Sequence, residues 1–258
     1  SIVKGSPYGG ILNGNNGYLK VERSELTDFY FYGIATTLTS KDAVIAGNRI
    51  HHVDLIGLSI RIASLIKGNS VYNTGYNGIQ INEGSSLVES NILFNNPHGI
   101  FVGGGKPTIR NNTIYKNSHG IGFYDSDFWH PSAIVTSNII FQNAGYGIYC
   151  QGIYSPEKVE YNLISENPSG VANRGPVGLG VKVAVNVGGY QADTYLNIFD
   201  QPVFFSTNGT DEYFLNLMPT SPAVDAGDPQ FRDLDNSIRD CGATPFQGKD
   251  QEITFGEL

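Results

Sequence analysis

The sequence predicts an all-β solenoid: a parallel β-helix with three strands per coil and about seven or eight coils, closed by a C-terminal cap. Three observations predict it. A phrase recurs as "SNILFNNPHGI" at 90–100, "NNTIYKNSHGI" at 111–121 and "SNIIFQNAGYGI" at 137–148. Around each copy, apolar residues alternate at period two, the pattern of strands. Glycine is abundant, 32 residues, while charged residues are only 16%, a balance that suits strands and turns better than helices.

Each repeat anchors on the Asn of Asn-x-Ile. The slots are Asn48, Asn69, Asn91, Asn112, Asn138 and Asn162, with Ser24 one repeat earlier and Asn186 as the next candidate. Three residues before each slot stands an aliphatic residue: Val21, Ile45, Ile66, Val88, Ile109, Val135, Val159 and then Val183. Two residues after it stands Leu26, Ile50, Val71, Leu93, Ile114, Ile140 or Ile164. Eight or nine residues after it comes Gly-Ile or a close relative, with Gly33, Gly57, Gly78, Gly99, Gly120, Gly147 and Gly170. Each repeat thus holds three short strands. A unit of this size cannot bury its apolar face alone, so coils stack in register and each strand pairs with its equivalent one coil away. The slot asparagines are expected to take the left-handed turn conformation and to bond the next coil's Asn. The glycine before Ile is expected to supply a turn without a side chain. Residues 1–190 form the coils and 191–258 a capping segment on the same solenoid.

The bulk numbers narrow the partners. With 40% hydrophobic residues in 258, a large core can form. A net charge of −8 argues against nucleic acid. No apolar run approaches the roughly 20 residues of a membrane span. Cys150 and Cys241 make no disulfide framework and read as separate buried thiols. The chain opens at Ser1 without an initiator Met or a signal peptide. It reads as a mature chain or an excised domain, a monomer or part of a larger multidomain chain.

The pattern Asn-x-Ile-x-x-Asn…Gly-Ile over residues 18 to 190 resembles the right-handed parallel β-helix proteins. That group includes polysaccharide lyases, pectin-type glycosidases and alginate epimerases. The resemblance implies the right hand of the coil. The tail, "NIFDQPVFFSTNGTDEYFLNLMPTSPAVDAGDP" followed by "DLDNSIRDCGA", resembles the C-terminal region of bacterial surface and secreted β-helix proteins. This match implies an extracellular or cell-surface location. Physically the tail would cover strand edges left open at the solenoid's end.

If the first and third residues after each Gly point inward, the alternate residues form an outward strip: Ser59 and Arg61, Gln80 and Asn82, Phe101, Tyr124, Tyr149 and Gln151, then Arg174. Adjacent coils lie about 4.8 Å apart, so five coils present a strip of roughly 20 Å, enough for a polymer. Both expanded repeats follow this strip. "GFYDSDFWHPSA" carries Tyr124, Asp125, Asp127, Phe128, Trp129 and His130, and "YCQGIYSPEK" carries Tyr149, Gln151 and Tyr154. Insertions in solenoids tend to emerge on the binding face.

The candidate catalytic set is Asp125, Asp127 and His130 on the first expansion, with Glu83 and Lys106 on earlier coils. Asp125, Asp127 and His130 offer acid–base chemistry, or polar turns in the bland reading. In composition they resemble the Asp-Pro-His-Asp/Glu motif of alginate epimerases, but the order differs and the proline follows His130. Glu83 and Asp125 would form a carboxylate pair for glycoside hydrolysis if the loops converge. Lys106 or Arg61 would clamp a carboxylate or act as a lyase base, against the simpler reading of solvated rim charges. Arg61, Asn82, Tyr124, Trp129, Tyr149, Gln151 and Tyr154 are the candidate sugar-binding residues. A second aromatic column, His51, Tyr72, Phe94, Tyr115 and Phe141, is either an exposed platform or a stack that stabilises the solenoid. Asp225, Asp228, Asp233, Asp235 and Asp240 in the tail suggest calcium or local Asx-turns; "DLDNS" lacks the Gly and closing Glu of a calcium loop.

The expected function is binding or processing of an extracellular polysaccharide along the strip, by a lyase or glycoside hydrolase where it is catalytic. The chain's 24 acidic against 16 basic residues, and no Lys-Arg constellation, favour neutral glycans or pure binding over a lyase. The alternative is a non-catalytic structural or adhesive segment of a larger surface protein.

Overall fold

The structure, a computed structural model, describes residues 1–14, 16–124, 131–152, 155–244 and 246. Three parallel sheets run along a solenoid of about seven coils. Sheet A stacks Ile2–Ser6, Glu25–Phe29, Arg49–Val53, Ser70–Thr74, Ile92–Phe94, Thr113–Tyr115, Ile139–Phe141 and Leu163–Ser165. Sheet B stacks Gly9–Asn13, Tyr32–Thr36, Ile56–Ile60, Asn77–Ile81, His98–Val102, His119–Tyr124, Tyr146–Gln151 and Gly170–Ala172. Sheet C stacks seven strands, from Leu19–Glu22 to Lys158–Glu160. Among the described residues there is no helix long and apolar enough to cross a membrane.

The inward columns are the ones the repeat predicts. Ile50, Val71, Leu93, Ile114, Ile140 and Ile164 line the lumen from sheet A, and Ile45, Ile66, Val88, Ile109, Val135 and Val159 from sheet C. Fully burying each aliphatic side chain is worth about 1.5–3 kcal/mol. Cys150 sits in the same core, where burial pushes its thiol up to about 11. Cys241 is buried elsewhere, and both cysteines are free.

The asparagine ladder is continuous. Asn112 accepts from Asn91 N at 3.0 Å and Asn91 Nδ2 at 2.9 Å, and its own Nδ2 donates to Asn138 Oδ1 and Val88 O at 2.9 Å. The same pattern links Asn48, Asn69, Asn91, Asn112, Asn138 and Asn162, and Ser24 N donates to Asn48 at the start. Two expectations are corrected here. The next rung is Asn197, bonded to Asn162 at 3.0 and 2.9 Å, while Asn186 lies in a hairpin turn and Val183 is exposed. The left-handed residue is the one before the slot: Gly68 (φ 64°), Ser90 (55°), Asn111 (51°), Ser137 (56°). Reversing the chain there turns the next side chain inward, where its amide can bond both neighbouring coils. A second ladder, Asn96, Asn117, Asn143 and Asn167, does the same at the turn from sheet A to sheet B.

The Gly-Ile glycines are also corrected. Gly99 lies in a strand, and a Cβ there would come within 2.6 Å of Ile114 Cγ2 and 2.9 Å of the Gly120 carbonyl. Close approach of sheets A and B, rather than a turn, excludes a side chain.

The tail begins by extending the end of the solenoid, with Ile198 bridged to Leu163. It then folds back across the outer face of sheet A. Phe204, Phe214, Leu215, Leu217, Ala223, Ala226 and Cys241 pack on Phe94, Tyr115, Ile139, Phe141 and Leu163 as a second core. Asn111 Nδ2 donates to the Asp240 carbonyl at 2.8 Å, and Asp228 N to Ser137 Oγ at 2.9 Å. The column His51, Tyr72, Phe94, Tyr115, Phe141 is therefore not an exposed platform. His51–Tyr72, Tyr72–Phe94 and Tyr115–Phe141 stack at 4.5–4.9 Å, and Phe214 packs against both Phe94 and Tyr115.

Candidate binding strip on the outer face of sheet B

Strand alternation sends Ile79, Ile81, Ile100, Val102, Ile121 and Phe123 into the lumen and their neighbours outward. One outward column stands just before the buried glycines: Asn77 pairs in register with His98, and His98 with His119. A second column runs Ser59, Gln80, Phe101, Gly122, Tyr149. The two interlock. His98 and His119 stack at 5.5 Å, His119 stacks on Tyr149 at 4.6 Å, and Tyr146 lies 6.3 Å from His119. His98 meets Phe101 edge-on at 5.4 Å, and Phe101 approaches Tyr124 at 6.2 Å. Gly122 leaves the space these rings use: a Cβ there would lie 2.7 Å from His98 Cδ2.

A polar chain continues from the rings. His98 Nδ1 lies 3.1 Å from Asn77 Oδ1, Asn77 Nδ2 donates to Gln80 Oε1 at 2.8 Å, and Gln80 Nε2 donates to Asn82 Oδ1 at 2.8 Å. His119 Nδ1 accepts from the Tyr146 backbone N–H at 3.1 Å. Burial lowers the pKa of both imidazoles; for His98, burial and the neighbouring His119 bring it down to about 4. Both shifts favour the neutral ring. Half-buried rings with satisfied inner edges and polar outer atoms suit sugars, which need stacking faces and hydrogen bonds.

Of the sequence-predicted residues, Gln80, Asn82, Phe101, Tyr124 and Tyr149 join this assembly. Arg61 is exposed just past its strand, with its backbone N bonded to Thr36 Oγ1, and Gln151 is exposed in register with Tyr124. Glu83 is half-buried and Lys106 exposed, in turns one coil apart that the Lys106 N to Gly84 O bond joins. Asp125, Asp127, Trp129, His130 and Tyr154 lie outside the described residues. His98, His119, Tyr146 and Asn77 form the rest of the strip. The sequence signal for three of them was present: His, His and Tyr stand immediately before Gly in three consecutive repeats.

Two concavities, of about 460 and 470 Å³, lie away from the strip. One sits between the hairpin at Val187–Tyr190 and the tail, the other beside Asp28, His52 and Asp54 on sheet A's first coils. The second spans only the first three coils, whereas the strip on sheet B carries stacked rings and a polar chain together.

The tail carboxylates make local bonds. Asp228 Oδ1 accepts from Gln230 N and Asp235 Oδ1 from Ser237 N, both at 2.9 Å. Asp233 Oδ2 accepts from Asp240 N at 2.8 Å. Asp240 accepts from Asp225 N at 2.8 Å and Phe246 N at 2.6 Å, yet burial raises its pKa to about 7 against those bonds. Among the described residues no three His, Cys, Asp or Glu side chains are placed to hold a metal ion.

A family model described as "Right handed beta helix region" matches residues 1–92 and 56–187. A mutant of the periplasmic alginate epimerase AlgG is a structural neighbour, with a TM-score of 0.54 and 20% identity, covering 65% of this chain. This chain spans 45% of that protein, and at that identity the likeness is one of fold. No curated protein matches the chain. The stacked coils, their two asparagine ladders and the family match agree: this chain belongs to the right-handed parallel β-helix family.

Proposed function

We propose that the outer face of sheet B binds an extracellular or envelope polysaccharide laid across successive coils. The observation that carries this reading is the run of rings on that face: His98, His119 and Tyr149 stacked across three coils, with Phe101, Tyr124 and Tyr146 beside them. The outward edges of these stacked rings offer sugars apolar and polar contacts, and the Asn77–Gln80–Asn82 chain offers hydroxyl partners alongside. The structural neighbour is a polysaccharide-processing protein of the periplasm, which supports the general kind. Any processing chemistry we assign to the segment following Tyr124, where Asp125, Asp127 and His130 supply acid–base groups, with Glu83 and Lys106 at the strip's edge.

The test is a polysaccharide panel read for binding, for ultraviolet absorbance of unsaturated products and for reducing ends. Binding that Phe101→Ala or Tyr149→Ala weakens supports the strip. New product that Asp127→Ala or His130→Ala abolishes makes the protein an enzyme. Silence across the panel favours the structural or adhesive segment.

A further inference from the structure

We infer that the paired imidazoles of His98 and His119 form a donor–acceptor subsite for neighbouring hydroxyls of an uncharged sugar. This rests on the reading of sheet B as the glycan-binding face, and it deepens that reading by naming the sugar class.

The inner edge of each ring decides what its outer nitrogen can do. His119 Nδ1 accepts the Tyr146 backbone N–H at 3.1 Å, so Nδ1 carries the lone pair and Nε2 carries the proton. His98 has the opposite arrangement. Asn77 turns its Nδ2 toward Gln80 Oε1 and its Oδ1 toward His98 Nδ1, and the Gln80 amide continues in the same sense to Asn82. His98 Nδ1 therefore donates, and its Nε2 is left as an acceptor. Two stacked rings on adjacent coils thus present one N–H and one lone pair. A pair of neighbouring sugar hydroxyls matches this, one donating to His98 Nε2 and the other accepting from His119 Nε2–H. Tyr149, stacked on His119, continues the platform.

A carboxylate is poorly served here. It would meet a lone pair at His98 and a single neutral donor at His119. The side chains that build the subsite, Asn77, Gln80, Asn82, Phe101, Tyr146 and Tyr149, carry no cation. Gly122 contributes by absence, since any side chain there would displace the His98 ring. A uronate polymer therefore binds this strip less well than a neutral one.

The experiment pairs binding with imidazole ¹⁵N NMR on the whole chain at pH 7. The probes are neutral β-glucan, galactomannan and arabinoxylan oligosaccharides against polygalacturonate and alginate oligosaccharides. The expected result is binding of a neutral probe, an Nδ1–H tautomer at His98 and an Nε2–H tautomer at His119. His98→Phe and His119→Phe keep a ring and remove the polar atom, and each should weaken binding about tenfold. Tighter binding of a uronate probe overturns the inference and leaves the glycan reading standing. The same tautomer at both histidines also overturns it, whatever the variants do. No binding of any probe removes the glycan reading and the inference together.

Discussion

Sheets A and B carry aromatic columns on their outer faces, built by the same repeat, yet they have opposite fates. On sheet A the column ends beneath the tail: Tyr115 and Phe141 are 3% and 2% exposed, with Phe204 and Phe214 packed on them. On sheet B no described segment folds over Phe101, Tyr146 and Tyr149, which stay half-exposed. The ring columns are chemically similar, so composition does not separate a core from a binding face. What separates them is whether another part of the chain supplies a complementary apolar surface.

The largest expected effect lies on the covered face. Phe141→Ala should cost about 3–5 kcal/mol by urea denaturation, because it opens a cavity between sheet A and the tail. A loss below 1 kcal/mol would mean that the tail does not clasp that face. Asn112→Ala, on the ladder between sheets C and A, should cost about 2–5 kcal/mol, because it leaves Asn91 N and Nδ2 without their buried acceptor.

The two faces should also respond oppositely to pH. His98 has its folded pKa lowered to about 4, so its contribution is complete above the unfolded value of 6.5 and is lost as pH falls toward 4. Asp240, within the tail, has its folded pKa raised to about 7, so its contribution is complete below 3.8 and is lost as pH rises through 7. Each is worth about 1–3 kcal/mol across its window. Thermal melts from pH 4 to 7.5 should show Asp240→Asn flattening the loss on the alkaline side and His98→Phe flattening the loss on the acid side. Identical profiles in both variants would falsify the assignment.

The smallest stability effect belongs to the open strip. Tyr149→Ala should change stability by less than about 1 kcal/mol while weakening glycan binding about tenfold. If the melt falls as far as for Phe141→Ala, the strip is structural and the contrast between the faces disappears.

Much of the fold was legible because each coil repeats one physical problem. Val21 through Val159 and Leu26 through Ile164 read correctly as lumen columns, since a three-strand coil must bury the same positions each time. The pattern failed at Asn186 and Val183, where the chain leaves the coil and the spacing to the next rung grows to 35 residues. The asparagine's place in its turn was misread by one residue, because sequence spacing shows which residue bonds but not which one bends. Gln80, Asn82, Phe101, Tyr124 and Tyr149 of the strip were legible from alternation after glycine. Tyr146, His98 and His119 were not: period two extended backward across the glycine points them inward, and it is the break in alternation at the glycine that turns them out.

The sequence by itself determined the solenoid, its three-strand coil, the polar ladders and the inward columns, because these follow from local periodicity repeated about every 21–26 residues. Only the tertiary structure decided which outer face the tail covers. That depends on where residues 198–244 fold back, a contact across more than a hundred residues, as between Asn111 and Asp240, that no local spacing encodes.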